Sequence, residues 1–594
     1  MASKKLLVLT ALNHNLKKNS NIDFLGEWCL TYDNKKKFNN KKYFIYKHHW
    51  TSWEKLKKDS KYLEAQYEYL LKNISKLLNK IHKTKHDKEY WRILLGPWLY
   101  FYLISMFDRW ESLRLAYNKK ENINIPKLNF NSEVLINYDT LSFWKKVTQN
   151  DYWNQANFQR IIDFKFKNQT TYIDGLINEK KNNSFKEEKN LNTNNFNIIK
   201  KFLIIIDKLF SNFFLKFSKT YIDCTYFNKV DALKIFWACK ILPAFNISTF
   251  NYETLNKDFK INKKAREIFD KRIENNKDFE SYLWTCLKVD FPKVLLEDYF
   301  KIENLNFKKN KLKLKSIFSS VSTTFNERYK FWLAKMIKNG ANNYVMSHGG
   351  ALPLIYEYGT FEHDLKISKK YISWHNPTHT KHLKMSAIQL LKIKKENFNN
   401  NRTKCLILSC DTLRYPTKIQ AWPYVEQYKS WLQDISLIID NLNLNIKKEL
   451  VYRCGATKQG FQTDRILKDK YKFLTVSHTS QESLEKSLSN SKFVVCTYPS
   501  TTVAECLIKD IPMIITMSPK LYHFEPQVKK LLREAENKIF FSDPKKASYL
   551  INKIWKNPEE WWKKKETKKI VDKIKKFSFK IEQDWPQEWS RLIN

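Results

Sequence analysis

Two short segments concentrate residue types that handle phosphates and protons, and each directly follows an apolar, strand-like run. The first is Ser347-His348-Gly349-Gly350, at the end of Tyr344–Ser347. Paired glycines let a backbone approach a ligand closely, and a histidine there can act as a base or a phosphate partner. The second is Thr497-Tyr498-Pro499-Ser500-Thr501-Thr502-Val503-Ala504-Glu505, at the end of Phe493–Thr497. Its three hydroxyls open a helix, where unpaired N–H groups and the positive dipole end bind phosphate. Glu505 suits either a ribose hydroxyl or a capping box with Thr502. Each segment also has a plainer reading: a strand-end turn with a solvated histidine, and ordinary N-capping by Ser and Thr. Together they are more specific, because loops at the carboxyl ends of two facing parallel sheets can hold an activated donor against an acceptor. Arg453, in Val451-Tyr452-Arg453-Cys454-Gly455, could pair a donor phosphate or form a surface salt bridge. Glu27, after the second strand-like run, could be a general base or one half of a buried ion pair.

The elements that must position these residues alternate between strand and helix. Helical patterns cover about 60–83 and 89–118, the second carrying Gly96-Pro97, which should kink it. Asn-rich 178–196 reads as an exposed loop, followed by a helix near 197–216 and an apolar stretch at Ala232–Cys239. A strand at Ser316–Val321, a helix at Glu327–Asn339 and a strand at Tyr344–Ser347 make a βαβ unit. Downstream, Glu357, Gly359, Glu362 and His363 form a polar cluster in a turn-like stretch. After the polar linker Lys394–Lys404 come strands at Cys405–Ser409, Glu449–Arg453, Phe473–Val476, Phe493–Thr497 and Met513–Thr516. Helices at Ala421–Asn441, Gln481–Leu488 and Thr502–Ile508 separate them, which is a doubly wound α/β domain. The expected organisation is an N-terminal Rossmann-like domain, 1–345, with long helical insertions on the acceptor side. A loop and linker, 346–400, then lead to a nucleotide-donor Rossmann-like domain, 401–560, and a basic helical segment, 561–594. No GxGxxG or Walker motif occurs, which argues against dinucleotide and P-loop chemistry.

Bulk properties narrow the class further. A chain of 594 residues needs more than one core, and 15% aromatic content argues against global disorder. The formal charge of +45 draws a protein toward polyanions, although an AT-rich coding sequence spreads lysine in the same dispersed way. The charge raises a nucleic-acid-binding reading; no RRM, KH or zinc pattern and no basic stripe along one helix supports it. Nine cysteines, none at CxxC spacing and several within apolar runs, read as reduced thiols of a cytoplasmic protein. The N-terminal apolar run is too short for a signal peptide, and Ile93–Phe107 is too short to span a bilayer. Trp561-Trp562-Lys563-Lys564-Lys565 and the lysines after it suit peripheral contact with an anionic membrane surface.

The run Ser316-Ile317-Phe318, Phe331-Trp332 and Ser347-His348-Gly349-Gly350 resembles a transferase family encoded in bacterial O-antigen and surface-polysaccharide loci. So do Phe24-Leu25-Gly26-Glu27-Trp28-Cys29, Tyr90-Trp91-Arg92-Ile93-Leu94-Leu95-Gly96-Pro97-Trp98 and Ser500-Thr501-Thr502-Val503-Ala504-Glu505, in order from residue 6 to about 520. More distantly, the HGG and STTxxE loops are similar to those of CDP-glycerol glycerophosphotransferases and capsule Kdo transferases. The resemblance implies a GT-B-like fold of two facing Rossmann-like domains and a nucleotide-sugar donor, with neither metal nor cofactor required. It implies a glycosyltransferase of surface-polysaccharide (O-antigen, lipopolysaccharide or capsule) biosynthesis with a saccharide or lipid-linked acceptor. A CMP-activated acidic sugar, Kdo or another nonulosonate, leads as donor; a CDP-polyol such as CDP-glycerol is the alternative on the same machinery. In this reading His348 and Glu27 are catalytic, and Gly349, Gly350, Arg453, Ser500, Thr501, Thr502 and Glu505 bind the donor. The chain departs from the pattern at Ser347, where relatives often have Gln. It departs again at Arg453-Cys454-Gly455-Ala456, where an Arg-x-x-Pro or His-Pro element is expected.

Overall fold

Short apolar runs buried on both faces favour parallel sheets covered by helices, and this chain builds three of them. The computed structural model describes residues 5–15, 21–38, 42–118, 122–177, 218–223, 229–239, 244–246, 261–272, 276–305, 312–349, 355–391, 393, 402–455 and 460–594. Gly350 and the helix expected near 197–216 lie outside the described residues. Strands Leu6–Val8 (β1), Ile22–Phe24 (β2), Tyr43–Ile45 (β3), Ile123–Pro126 (β4) and Thr170–Ile173 (β5) form the first sheet, in the order β3-β2-β1-β4-β5. Next come Thr220–Asp223 (β6), Ala244–Asn246 (β7), Ser316–Ser319 (β8), Asn342–Met346 (β9), Glu357–Tyr358 (β10), Lys370–Ser373 (β11) and His382–Lys384 (β12). All but β10 form the second sheet, β12-β11-β9-β8-β6-β7. The third is built from Lys404–Ser409 (β13), Leu450–Cys454 (β15), Thr475–His478 (β16), Ser491–Cys496 (β17), Met513–Thr516 (β18) and Phe540–Phe541 (β19), in the order β16-β15-β13-β17-β18-β19. Ile419–Gln420 (β14) leaves it to pair antiparallel with β10.

Numbered within the third sheet, that order is 3-2-1-4-5-6, the Rossmann order; the second sheet runs 2-1-3-4-5-6, a flavodoxin-like order with one added strand. Both are parallel sheets of Rossmann type, but the second, running from β6 to β12, does not keep the expected bounds: β11 and β12 lie within 346–400, expected as loop and linker. The stretch 1–345 differs from a single domain: it carries the first sheet and four strands of the second, which share no ladder. The first sheet's strands are three or four residues long, too short to leave a readable period-two pattern.

The helices that matter for the site are Trp53–His82 (α1), Lys88–Tyr117 (α2), Glu327–Lys338 (α3), Thr360–Ile367 (α4), Gln427–Asn441 (α5), Thr501–Lys509 (α6), Pro526–Ala535 (α7), Lys565–Ser578 (α8) and Trp585–Ile593 (α9). The expected long insertion is α1 and α2, set between β3 and β4. Of the 30 residues of α2, 26 are buried, and the helix runs unbroken through Pro97. It packs along α1 and against α3 and α4. Gly96 serves that packing, since a Cβ there would lie 2.6 Å from Nδ1 of His363 in α4. His363 is thus an inter-helix contact, fully buried, and no part of a solvated polar turn. Among the described residues no helix is long and apolar enough to cross a membrane. The C-terminal helix α9 returns to the second sheet, stacking Trp589 edge-on against Phe318 at 5.5 Å.

The first sheet's switch point, between β1 and β4, is filled from within. Trp28 folds over it, donates its indole N–H to the Leu9 carbonyl at 2.9 Å and stacks on Phe158. This needs Gly26, because a Cβ there would meet the Trp28 ring at 2.2 Å. Gly26→Ala should therefore cost at least about 2 kcal/mol in denaturant unfolding, the scale of overpacking a rigid core. At Gly455 an added Cβ meets nothing within 4 Å, so Gly455→Ala should stay within about 0.5 kcal/mol of the parent.

Candidate active site between the second and third sheets

The switch point of the third sheet lies between β13 and β17, where crossovers leave in opposite directions and a crevice opens at the carboxyl ends. The chain leaves β17 through Thr497, which is pinned: its hydroxyl donates to the Leu408 carbonyl, and its own carbonyl accepts from Trp431 and Tyr522. The turn ends at Ser500, an extended N-cap residue with no side-chain cap hydrogen bond. Thr501 and Thr502 then form the first turn of α6, Thr502 buried and Thr501 half-buried. With the cap at Ser500, Glu505 falls outside capping-box spacing. It is half-buried, and burial raises its pKa.

The other loop reaches the same crevice from the second sheet. Beyond β9, Ser347 donates its N–H to the Ile372 carbonyl and its hydroxyl to the Gly349 carbonyl at 2.7 Å. That fixes the backbone on either side of His348. A Cβ built on Gly349 would stand 3.3 Å from Oγ1 of Thr501, so the glycine loop and the hydroxyl turn touch across the cleft. His348, between these bonds, is exposed and lies within electrostatic reach of Lys418 and Glu357. The desolvating walls lower its pKa, the Lys418 ammonium lowers it further, and Glu357 opposes both. The imidazole is accordingly neutral at pH 7, the form that accepts a proton.

Behind His348 the two sheets are tied by Glu357. This buried carboxylate accepts from Gln420 at 2.6 Å and from Lys418 and Thr360 at 3.2 Å. Main-chain bonds continue the tie, from Ala421 N–H to the Tyr356 carbonyl and from His523 N–H to that of Ala421. Asp411, at the end of β13, closes the crevice floor by accepting from the N–H groups of Phe461 and Gln462. Burial pushes its carboxyl up to about 7 against those bonds. Sequence reasoning passed over Asp411 and Lys418, and named Glu357 only as part of a polar cluster downstream of the glycine loop. Asp411 carried the signal that marked Glu27, a carboxylate just past a strand.

Two expected site residues have other tasks. Glu27 sits against α5 at the carboxyl edge of the first sheet, its carboxylate held by Lys429 at 2.7 Å and Tyr428 at 3.4 Å. It docks the first unit on the third, which is the buried ion pair the sequence allowed. Arg453 is buried and donates to Ser477, Ser487 and the Glu482 carbonyl, bracing the loop beyond β16. The described residues contain one group with metal-ligand spacing, His48, His49 and Asp108, at the interface of the first and third units. One Asp108 oxygen lies 2.6 Å from His48 Nε2 and 3.2 Å from His49 Nε2; the other is paired with Arg109.

No curated protein matches the chain in sequence. Among solved structures it is similar to TarM, at 12% identity and TM-score 0.31, covering 47% of this chain and 54% of that one. It therefore spans about half the length of TarM. MurG of Acinetobacter baumannii aligns at 11% identity and TM-score 0.29, over 63% of this chain and 98% of MurG. The wall teichoic acid polymerase TagF aligns at 9% identity and TM-score 0.31, over 67% of this chain and 96% of TagF. The family model described as LIC12162 family transferase matches residues 5–593, and the chain belongs to that family of transferases.

Proposed function

We propose that the cleft between the second and third sheets catalyses transfer of a sugar from a nucleotide-sugar donor to a hydroxyl of a growing surface glycan. The observation that carries this reading is the contact of Gly349 with Thr501, which sets a neutral imidazole beside an uncapped helix start at a switch point. The donor's phosphate accepts from the N–H groups and hydroxyls of the first turn of α6, with Ser500, Thr501 and Thr502 around it. Negative charge that builds on the leaving phosphate is met there by the helix dipole and by charge-assisted hydrogen bonds. His348 takes the proton of the acceptor hydroxyl as its oxygen bonds to the anomeric carbon and the bond from that carbon to the phosphate oxygen breaks. Leaving-group charge is handled by the helix start, so no metal is needed. The leading donor is a CMP-activated acidic sugar, a class suggested by the sequence resemblance.

Three outcomes follow. Calorimetric titration should give tighter binding of CMP than of UDP, GDP or poly-dT; CDP binding tightest would move the reading to polyol-phosphate transfer. Replacing Thr501 and Thr502 with Ala should weaken nucleotide binding by roughly one to three orders of magnitude, at about 1.5–3 kcal/mol per charged hydrogen bond. The melting temperature should barely move, because the cap position is Ser500; unchanged affinity would reduce these hydroxyls to helix surface. His348→Ala should lower transfer at least about 100-fold, in the presence or absence of EDTA. In the parent, log kcat/KM should rise with pH through a limb below 6.5, as the imidazole deprotonates, and level off by neutrality. A limb that survives in His348→Ala would remove His348 from the reaction.

A further inference from the structure

The first sheet runs 3-2-1-4-5, the Rossmann order short of its last strand, and a unit of that order takes a ligand at its carboxyl edge. Here that edge is occupied by the chain's own third unit. Arg414, buried in the loop after β13, donates to both oxygens of Asp151, at 3.1 and 2.8 Å, and to the Trp28 carbonyl at 3.0 Å. Asp151 also accepts from the N–H of Ala11, which follows β1 beside the switch point. Tyr415 donates its hydroxyl to the same carboxylate and sets its ring against Trp28 at 6.0 Å. An ion pair so largely out of water is a fixed contact, since separating it strands both charges.

A second part of the first unit grips both halves of the cleft. Trp53, which opens α1, stacks on His523 of the third unit at 4.4 Å. The same ring meets Tyr356 of the second unit edge-on at 5.3 Å. Ser60, two turns further along α1, shares a 2.6 Å hydrogen bond with the Tyr356 hydroxyl. Between the halves, the Tyr356 N–H donates to the His523 carbonyl at 3.4 Å and the Ala421 N–H to the Tyr356 carbonyl at 2.8 Å. Two facing units that share only a modest interface rock against each other. In this chain a third body is pinned to one half through Arg414 and to both through Trp53, and rocking would break those contacts together.

We infer that the first unit is an internal brace: its ligand edge holds Arg414 in place of a ligand, and it fixes the second and third sheets so that the cleft does not open and close by a hinge. The brace does not depend on which reaction the cleft performs.

Amide hydrogen exchange on the full-length, ligand-free protein is the test. The amides of Tyr356 and Ala421, which cross between the two halves, should be protected like those of β13. Trp53→Ala, and separately Arg414→Ala, should speed both at least about tenfold while the β13 amides keep parental rates. Small-angle scattering profiles of the parent with and without saturating CMP should superimpose. Crossing amides that exchange far faster than β13 in the parent, folded variants that leave them unchanged, or compaction on adding CMP would overturn the inference. Where a variant also speeds β13, its fold is lost and the parent's exchange decides. Failure of CMP to bind in calorimetry counts against the transferase reading alone, and the exchange rates still decide the brace.

Discussion

A thirty-residue helix that leaves almost nothing for solvent must be enclosed on every side, and the enclosure of α2 is what joins the units of this protein. Along its length α2 takes α1 from the first unit and α3 and α4 from the second. Near its C-terminal end it also buries a charge. Arg109 is fully buried, and a guanidinium out of water is tolerable only when every donor is used. It donates to Asp108, to Asn154, and to the carbonyls of Val147 and Pro416. The last of these anchors the segment that enters β14. That segment brings Lys418 and Gln420 to Glu357, and Glu357 ties the two sheets behind His348. The segment that meets Glu357 near the proposed base is therefore anchored, through Arg109 and the Pro416 carbonyl, on the buried helix.

The same enclosure explains why the cleft can form from loops without being loose. Thr497 is pinned to β13 and to two aromatic side chains, and Ser347 is pinned to β11, so both turns leave rigid strands. Gly349 brings them close, since a Cβ there would stand 3.3 Å from the Thr501 hydroxyl. Preorganised donors at a helix start cost no rearrangement when charge develops, which is where such sites obtain most of their rate.

Much of this was legible in the chain itself. The third sheet could be read nearly strand by strand, because Cys405–Ser409 and Phe493–Thr497 are apolar runs between clear helices. The two loops stood out because Gly, His, Ser and Thr followed those runs. What the chain concealed has physical causes. Three-residue strands carry no period, so the first sheet merged with the second into one expected domain. Gly96-Pro97 suggested a kink but not a packing contact, and there the glycine admits the His363 ring within a continuous helix. Glu27 and Arg453 read equally well as ligand-binding or structural, because charge and strand position do not say which partner a side chain finds. Glu27's partner Lys429 lies far along the chain, and Arg453's partners Ser477 and Ser487 stand on the next strand and the helix after it.

The central claim is that one ligand engages both turns at once, and amide hydrogen exchange reads that directly. With saturating CMP, the amides of Thr501, Thr502 and Val503 and those of His348 and Gly349 should gain protection together. Gln427–Lys429, against Glu27, should exchange as before. Protection confined to the first sheet's edge near Glu27, or to one turn without the other, would contradict the account.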